Sequence, residues 1–382
     1  MEKRQDVLLS MFVSFIMSFS AALAVFKVPS HLQALIADFD LSYTLAGLFM
    51  GLVGASVVVT AIPAGILISR YGTKRMGIAA IALMIIGAAV QALSPNAYLL
   101  FFGRAVEGVG VSFALVTAIT IISLSAPSAK RGLALGLYMA CYPAGSVISM
   151  NLSSLIPLSY GWRIVWWLSS VFAIISLVFL ALSSDRKVVH RPGFSMKRAL
   201  SNPFLWLLPM ANMGVGSPGN CILNWGPTYL NVARGVLVPV GSFLVSLTMF
   251  MAIPISPLGG WLADRVRPRK IVYALPLLAL AVLYPLVPYV PLSLFLIFML
   301  IIGFFNNLVP PAAMAEVAEI AGPEATSVGL AISMMMVNIG IMASSPIFGL
   351  IYDATSSWNL SFLSLVVYDA LGLLSALPRK RK

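Results

Sequence analysis

Long apolar stretches alternate with short polar breaks along the whole chain. Twelve of these stretches approach the roughly 20 residues that a helix needs to cross a hydrocarbon core about 30 Å thick. They cover approximately residues 7–34, 43–68, 76–93, 98–122, 133–156, 164–182, 204–230, 237–263, 271–290, 292–317, 326–351 and 360–377. Turn-forming residues such as Ser94-Pro95-Asn96 and Gly322-Pro323 separate them. The pattern predicts an all-α polytopic membrane protein with twelve transmembrane helices, and the even number places both termini on one side.

Composition agrees with this prediction, and the positions of the cations orient the chain. Apolar residues make up 60% and charged residues 9% of the sequence, whereas soluble proteins are roughly 25% charged. The net charge of +12 would suit nucleic acid, but twenty of the 24 Lys and Arg residues lie in the tails or in every second loop. This is the positive-inside distribution. We therefore expect a plasma-membrane protein with cytoplasmic termini and no nucleic-acid partner.

One cytoplasmic loop occurs twice in the sequence. GILISRYGTKR begins at Gly65 and GWLADRVRPRK begins at Gly260, and the copies share the glycine and three cations in the same register. A repeat of this kind indicates two related halves, and the longest polar stretch separates them. The predicted organisation is a six-helix half over residues 1–182, a cytoplasmic linker over residues 183–202, and a six-helix half with a basic tail over residues 203–382.

With these loops the chain resembles the major facilitator superfamily, whose loop pattern is Gly-x-x-x-Asp-Arg-x-Gly-x-Arg/Lys-Arg/Lys. A second similarity is Arg104-x-x-Glu107-Gly108-x-Gly110 in span four, where the family often has Arg-x-x-Gln-Gly-x-Gly. The superfamily is the usual example of two halves related by an axis along the membrane normal. The resemblance implies secondary transport by alternating access, with a site near the bilayer midplane that helices one, four, seven and ten line.

The two loops also depart from the family pattern. This bears on the contacts that hold the transporter in one conformation, which we call the latch. The first loop has Ser69 in place of the family Asp, and the second has Arg267 in place of the loop Gly. In the family, that Asp is thought to lie against the N-terminus of span eleven. We expect the cations of the first loop to pair instead with glutamates at the end of span ten, unless those glutamates are only solvated. The predicted latch residues are Arg70, Lys74, Arg75, Asp264, Arg265, Glu316 and Glu319.

Three ionisable residues inside the predicted spans are candidates for the transport site. Charges at membrane depth are costly and by default mark a functional path. Lys27 lies in span one, and Arg104 and Glu107 lie three apart in span four, close enough to pair. Two cations against one acid would leave the cavity net positive, which suits an anion. We therefore predict that Lys27 and Arg104 bind the substrate.

The same residues partly resemble the anion:cation symporters of the superfamily, which have a cation in helix one and an Arg followed by Glu in helix four. A weaker similarity to cyanate and nitrate importers involves Tyr142-Pro143-Ala144-Gly145. If protons drive transport, Glu107 is the predicted carrier.

Other interpretations of these ionisable groups stay open. Arg104 and Glu107 could form a purely structural pair, and Lys27 and His31 could extend to the outer surface. Asp369 in span twelve is an alternative proton carrier, although a packing or a protonated aspartate is preferred there because the family places that helix outside the cavity.

Span seven contains the other candidate substrate contacts. Asn212, Asn220 and Asn224 recur at helical spacing in a stretch that glycine and proline interrupt. Irregular backbone at membrane depth is tolerated where it lines a cavity or is buried in protein. These amides are therefore predicted to bind substrate, and the alternative is hydrogen bonding between helices.

Taken together, these features predict a non-enzymatic secondary transporter without cofactor or metal. The sequence lacks a phosphate-binding Gly-x-x-x-x-Gly-Lys-Ser/Thr loop and a His-Glu-x-x-His pair. We expect a monomer in the lipid bilayer that takes up a small organic or inorganic anion with protons. The alternative is proton-antiport efflux of drugs or metabolites, although the glycines of the antiporter pattern around Pro143 are missing. A channel or a transporter-like sensor is less favoured.

Overall fold

A computed structural model describes residues 2–125, 131–156, 158–185 and 202–377. The described helices are α1 (Glu2–Phe26), α2 (Leu32–Phe39), α3 (Tyr43–Tyr71), α4 (Thr73–Ala92), α5 (Ala97–Ser125), α6 (Arg131–Ser154), α7 (Arg163–Leu182), α8 (Phe204–Leu207), α9 (Met210–Arg234), α10 (Val238–Phe250), α11 (Ala252–Arg265), α12 (Lys270–Leu286), α13 (Leu292–Thr355), α14 (Trp358–Ser364) and α15 (Val366–Leu373). Short 3₁₀ turns lie at Pro29–His31, Leu158–Tyr160, Val287–Tyr289 and Leu374–Ala376. The predicted all-α architecture is confirmed.

Within the described residues, ten helical segments are long and apolar enough to cross a membrane. Helices α6 and α9 occupy the remaining two predicted spans, the fifth and the seventh. Large apolar side chains point outward from the membrane-length helices, for example Val59 of α3 at 72% and Val282 of α12 at 62% exposure. Such surfaces suit lipid rather than water, because exposing large apolar side chains to water is unfavourable.

Local backbone chemistry explains where several helices begin and end. The long helix α13 breaks at Gly322, whose φ of 72° is easily adopted only by glycine. This break divides it into two spans, Leu292–Gly322 and Val328–Thr355. Helix α9 ends at Arg234, where the Gly235 and Val236 amides donate to the carbonyls of Asn231 and Leu230, as in a glycine C-cap.

The chain divides into two compact units. The first contains Met1–Leu41 and Leu52–Arg191, and the second contains Ser42–Gly51 and Pro192–Lys382. The predicted linker over residues 183–202 lies mostly outside the described residues, so its bounds stay a prediction.

The ten-residue segment Ser42–Gly51 joins the second unit through Asp353, which caps the start of α3. The Asp353 carboxylate accepts hydrogen bonds from the amides of Tyr43 (3.0 Å) and Thr44 (2.7 Å) and from the Thr44 hydroxyl (2.6 Å). These bonds satisfy donors that have no partner within the helix.

Candidate functional site

The first unit contains a buried cluster of Lys27, Arg104 and Glu107. Each of the three residues is only 1% exposed. Lys27 Nζ lies 2.5 Å from Glu107 Oε1, and Arg104 Nη1 lies 3.0 Å from Glu107 Oε2. The structure therefore brings together the three charged residues that the sequence singled out, with one cation on each oxygen of the carboxylate.

Arg104 also caps the end of α1. Its Nη1 donates to the Ala24 carbonyl at 2.8 Å and its Nη2 donates to the Val25 carbonyl at 3.3 Å. The last carbonyls of a helix have no partner within it, and a cation there is favoured by the helix dipole. This contact stabilises the end of α1 at Phe26 and leaves Lys27 in the turn that follows.

Neutral side chains complete the cluster, and the sequence analysis missed them. Gln91 Nε2 donates to Glu107 Oε2 at 2.9 Å, and Trp166 Nε1 donates to Gln91 Oε1 at 2.9 Å. Lys27 Nζ donates to Ser169 Oγ at 3.0 Å and lies 5.0 Å from the centre of a Trp166 ring, within cation–π range. The signal in the sequence was Gln91, a polar amide within an apolar run.

The charge balance of the cluster is uneven. One carboxylate faces two cations, so the group carries an excess of one positive charge at a depth where burying a charge is expensive. Glu107 lies ten residues into α5, or roughly 15 Å along the helix, about half the thickness of a hydrocarbon core. The excess charge is therefore placed near the middle of the predicted span.

A small cavity of about 10 Å³ borders Lys27. Its polar lining comes from Lys27 and from the hydroxyls of Ser149, Ser153 and Ser169. A volume of this size holds about one water molecule. In this conformation the cavity has no room for a solute, and access to Lys27 requires the surrounding helices to separate.

The structure corrects two expectations about the outer end of span one. Lys27 and His31 are 1% and 2% exposed, so the alternative that they extend to the outer surface is wrong. Lys27 is held inward by Glu107, and His31 lies in the buried turn between α1 and α2.

In the second unit, two of the predicted asparagines bond to each other and to a neighbouring helix. Asn224 Nδ2 donates to Asn220 Oδ1 and to Ser345 Oγ, both at 2.9 Å. The alternative of helix-to-helix hydrogen bonding therefore describes Asn224. Asn212 differs, because it is 2% exposed and neither its Nδ2 nor its Oδ1 has a hydrogen-bond partner in the described part of the chain.

Ser333 is a further polar residue that sequence reasoning missed. Gly216 on α9 faces Val337 on α13. A Cβ added at Gly216 would lie 3.0 Å from Val337 Cγ1. One turn earlier on both helices lie Asn212 and Ser333. Ser333 is fully buried, and its Oγ also lacks a hydrogen-bond partner among the described residues. Buried polar groups rarely stay unsatisfied, so this level of the helix pair is a candidate site for a polar ligand.

The predicted latch residues lie in local contacts within each unit. In the first unit, the Lys74 amide donates to Asp185 Oδ1 at 3.0 Å and its Nζ donates to the Ala181 carbonyl at 2.6 Å. Arg70 lies 5.4 Å from the Tyr71 ring, and Arg75 is exposed.

In the second unit, Glu319 pairs with Arg269 and, at 3.3 Å, with Arg267. Asp264 lies 3.6 Å from Arg269, Arg265 lies 4.4 Å from the Trp261 ring, and Glu316 is half-buried. Pairing between the first loop and these glutamates stays a prediction.

Long apolar helices around a buried ionic cluster define a multi-pass membrane protein. The chain matches the sequence profile of the Major Facilitator Superfamily over residues 7–241 and 235–382. The chain belongs to this superfamily of secondary transporters.

Known relatives and a solved structure agree with this assignment. The uncharacterized transporter YycB of Bacillus subtilis is 26% identical over 363 residues, covering 91% of this chain and 88% of YycB. The multidrug transporter mfsC of Aspergillus fumigatus is 30% identical over 176 residues, covering 46% of this chain and 33% of mfsC. A bacterial homologue of the human lysosomal transporter Spinster has the same fold, with a TM-score of 0.81 at 18% identity, covering 98% of this chain and 97% of that one.

Proposed function

We propose that the protein is a plasma-membrane transporter that takes up a small organic or inorganic anion together with protons, as a monomer with cytoplasmic termini. The observation that carries the proposal is the excess positive charge of the Lys27, Arg104 and Glu107 cluster. A buried excess charge favours binding of an opposite charge, because the interaction is little screened by solvent.

Lys27 is the cation best placed to meet a substrate anion. Arg104 is committed to two backbone carbonyls as well as to Glu107. Lys27 borders the water-sized cavity and, among the described residues, pairs with one charged group, Glu107. In this proposal an anion pairs with Lys27 when the helices separate, while Arg104 and Glu107 stay paired with each other.

Asn212 and Ser333 supply a second, uncharged contact for the solute. Asn212 offers both a donor and an acceptor, and Ser333 offers a hydroxyl that can serve as either. Both are buried on helices of the second unit.

The proposed role of Glu107 as proton carrier is not favoured by its surroundings. Its carboxylate accepts three hydrogen bonds, and two of them come from buried cations. Protonation of Glu107 would leave two buried cations without a counter-charge. The anion proposal therefore does not depend on Glu107 releasing a proton.

Counterflow in proteoliposomes tests the proposed substrate class. Proteoliposomes that contain the purified protein are loaded with lactate, benzoate, nitrate or a cationic dye. Entry of the labelled form of the same compound is then followed. We expect counterflow of at least one anion and none of the dye. Transport of the dye without any anion would overturn the anion proposal.

The Lys27→Met variant connects that result to the cluster. It leaves the Arg104–Glu107 pair neutral, so the fold should persist, but it removes the excess charge. We expect anion counterflow to be lost in Lys27→Met and retained in Arg163→Gln, which removes an exposed cation of the same unit. Equal counterflow in all three proteins would contradict the role of Lys27.

Efflux of drugs is the second candidate function, and a specific similarity favours it. The mfsC relative is a multidrug transporter, although the matching region is 33% of its length. Under this alternative the dye in the counterflow experiment is the transported compound, and a proton gradient directed inward drives its export.

A further inference from the structure

The second unit contains a buried carboxyl group whose surroundings are opposite to those of Glu107. Asp369 lies on α15 and is 0% exposed. Within the described residues, neither Asp369 Oδ1 nor Oδ2 has a hydrogen-bond partner. An ionised carboxylate without a partner is too costly in such a place, and a group of this kind becomes neutral instead. Asp369 therefore carries a proton in this conformation.

Helices α9 and α12 pack against α15, which carries the carboxyl group. An added Cβ at Gly214 of α9 would lie 2.8 Å from Gly372 Cα and 2.9 Å from the Tyr368 carbonyl oxygen. An added Cβ at Gly372 would lie 3.0 Å from Gly214 Cα and 3.2 Å from Leu277 Cδ2 of α12. The helix backbones therefore touch beside Asp369, and only glycine allows this approach.

Neutral groups surround Asp369 on the helices packed against α15. Apart from the cations at the helix ends, the titratable side chains on these elements are Tyr273 and Tyr284 of α12, Cys221 and Tyr229 of α9, and Tyr368 of α15 itself. Tyr284 is close enough to Asp369 to interact with it electrostatically, and its hydroxyl accepts a hydrogen bond from Asn306 at 3.0 Å. These groups can pass or shield a proton, but none of them is an anion or a cation at neutral pH.

The cations of α9 and α12 lie at opposite ends of these helices and bond elsewhere. Lys270 Nζ donates to the Ala376 carbonyl at 3.4 Å, about two turns beyond Asp369. Arg234 donates to the carbonyls of Pro288 and Val290. Neither provides the fixed counter-charge that Glu107 has in the first unit.

Helix α9 connects this carboxyl group to the candidate substrate contacts. It carries Asn212 two residues before Gly214, and Pro218 interrupts its hydrogen-bond ladder one turn later. Proline inside a helix removes a backbone hydrogen bond and favours bending there. A movement of the first turns of α9 would therefore change the Asn212 site and the packing of α9 against α15 together.

We propose that Asp369 binds and releases the coupling proton, and that the contact of α9 at Gly214 controls its access to water. The proposal rests on the proposed proton-driven transport and names the group responsible. On one side of the membrane the carboxylate takes a proton from hydronium. On the other side the acid O–H bond breaks and the proton returns to water, so no other reactant is consumed.

Proton-driven uptake in proteoliposomes tests the role of Asp369. The probe is the anion that gives counterflow with the wild-type protein, and the variant is Asp369→Asn, which resembles the protonated acid. The matched control is Asp40→Asn, because Asp40 is exposed and has a φ of 49°, which Asn tolerates. We expect Asp369→Asn to retain counterflow but to lose accumulation driven by a pH gradient, whereas Asp40→Asn keeps both.

The outcomes separate this inference from the proposed function. Accumulation by Asp369→Asn at the wild-type level would overturn the role of Asp369 and leave proton-driven transport intact. Failure of the pH gradient to drive uptake by the wild-type protein would overturn proton coupling itself.

A second variant tests, without a substrate, whether the packing of α9 against α15 keeps Asp369 away from water. Gly214→Ala forces α9 away from α15, and we expect it to leak protons into liposomes that contain a pH-sensitive dye. Adding Asp369→Asn should abolish the leak. Gly65→Ala is the matched control, because an added Cβ there meets nothing within 4 Å. A leak that persists in the double variant would overturn the proposed path through Asp369.

Discussion

Glu107 in the first unit and Asp369 in the second are both fully buried carboxyl groups, yet they have opposite surroundings. Glu107 accepts three hydrogen bonds and faces two cations. Asp369 has no hydrogen-bond partner among the described residues. The first carboxylate is balanced by two fixed cations, whereas the second group has no counter-charge among the described residues, which makes its ionised form costly. The comparison teaches that burial alone does not identify a proton carrier, because the partners decide which protonation state is stable.

Removal of the Glu107 charge should give the largest effect on stability. Glu107→Gln leaves Lys27 and Arg104 buried without a counter-charge, which we expect to cost about 3–5 kcal/mol. Thermal unfolding of the purified protein in detergent, with Asp40→Asn as the control, measures this. A loss of less than about 1 kcal/mol would mean that the cluster is not held by its charges.

Rising pH should distinguish Asp369 from Glu107. Asp369 has no hydrogen-bond partner among the described residues, so ionising it in the folded protein is costly. We therefore expect the wild-type protein to lose stability as pH rises above the range in which the carboxyl groups of an unfolded chain ionise. The expected slope is up to about 1.4 kcal/mol per pH unit. Unfolding of the wild-type protein and of Asp369→Asn across pH measures it. Equal losses of stability with rising pH in the wild-type protein and in Asp369→Asn would contradict the role of Asp369 in this pH dependence.

A smaller effect is expected from the neutral support of Glu107. Gln91→Met keeps the side-chain length but removes the bonds to Glu107 and Trp166. Loss of a buried partner costs about 1–3 kcal/mol. The same thermal unfolding assay applies, and a stability equal to that of the wild type would show that Gln91 does not support the cluster.

The smallest effect belongs to an ion pair at the surface. Arg267 and Glu319 are 57% and 52% exposed at a separation of 3.3 Å. Exposed pairs contribute about 0–1 kcal/mol, so Arg267→Gln should change stability by less than about 1 kcal/mol. A larger loss in the same assay would indicate a structural role for this loop that the exposed geometry does not explain.

The sequence was sufficient to predict the fold class, because apolar runs of membrane length leave few alternatives. It also identified Lys27, Arg104 and Glu107, since ionisable residues are rare in such runs. It did not reveal their pairing across helices, because Lys27 and Glu107 are 80 residues apart in the chain and only tertiary packing brings them together.

Neutral and unpartnered groups were harder to predict. Gln91 and Ser333 have no charge that would mark them in an apolar helix, and their importance comes from their neighbours. For Asp369 the sequence favoured a packing or a protonated aspartate over a proton carrier, because the family places its helix outside the cavity. The surroundings of its carboxyl group, which support a different role, become visible only when α9 and α12 are in place.

Infrared spectroscopy of the carboxyl groups tests most directly whether the proton resides on Asp369 rather than on Glu107. A protonated carboxyl group has a carbonyl stretch that is well separated from the bands of a carboxylate. At neutral pH the wild-type protein should show this band, Asp369→Asn should lack it, and Glu107→Gln and Asp40→Asn should keep it. A band that survives in Asp369→Asn and disappears in Glu107→Gln would contradict the assignment of the two carboxyl groups.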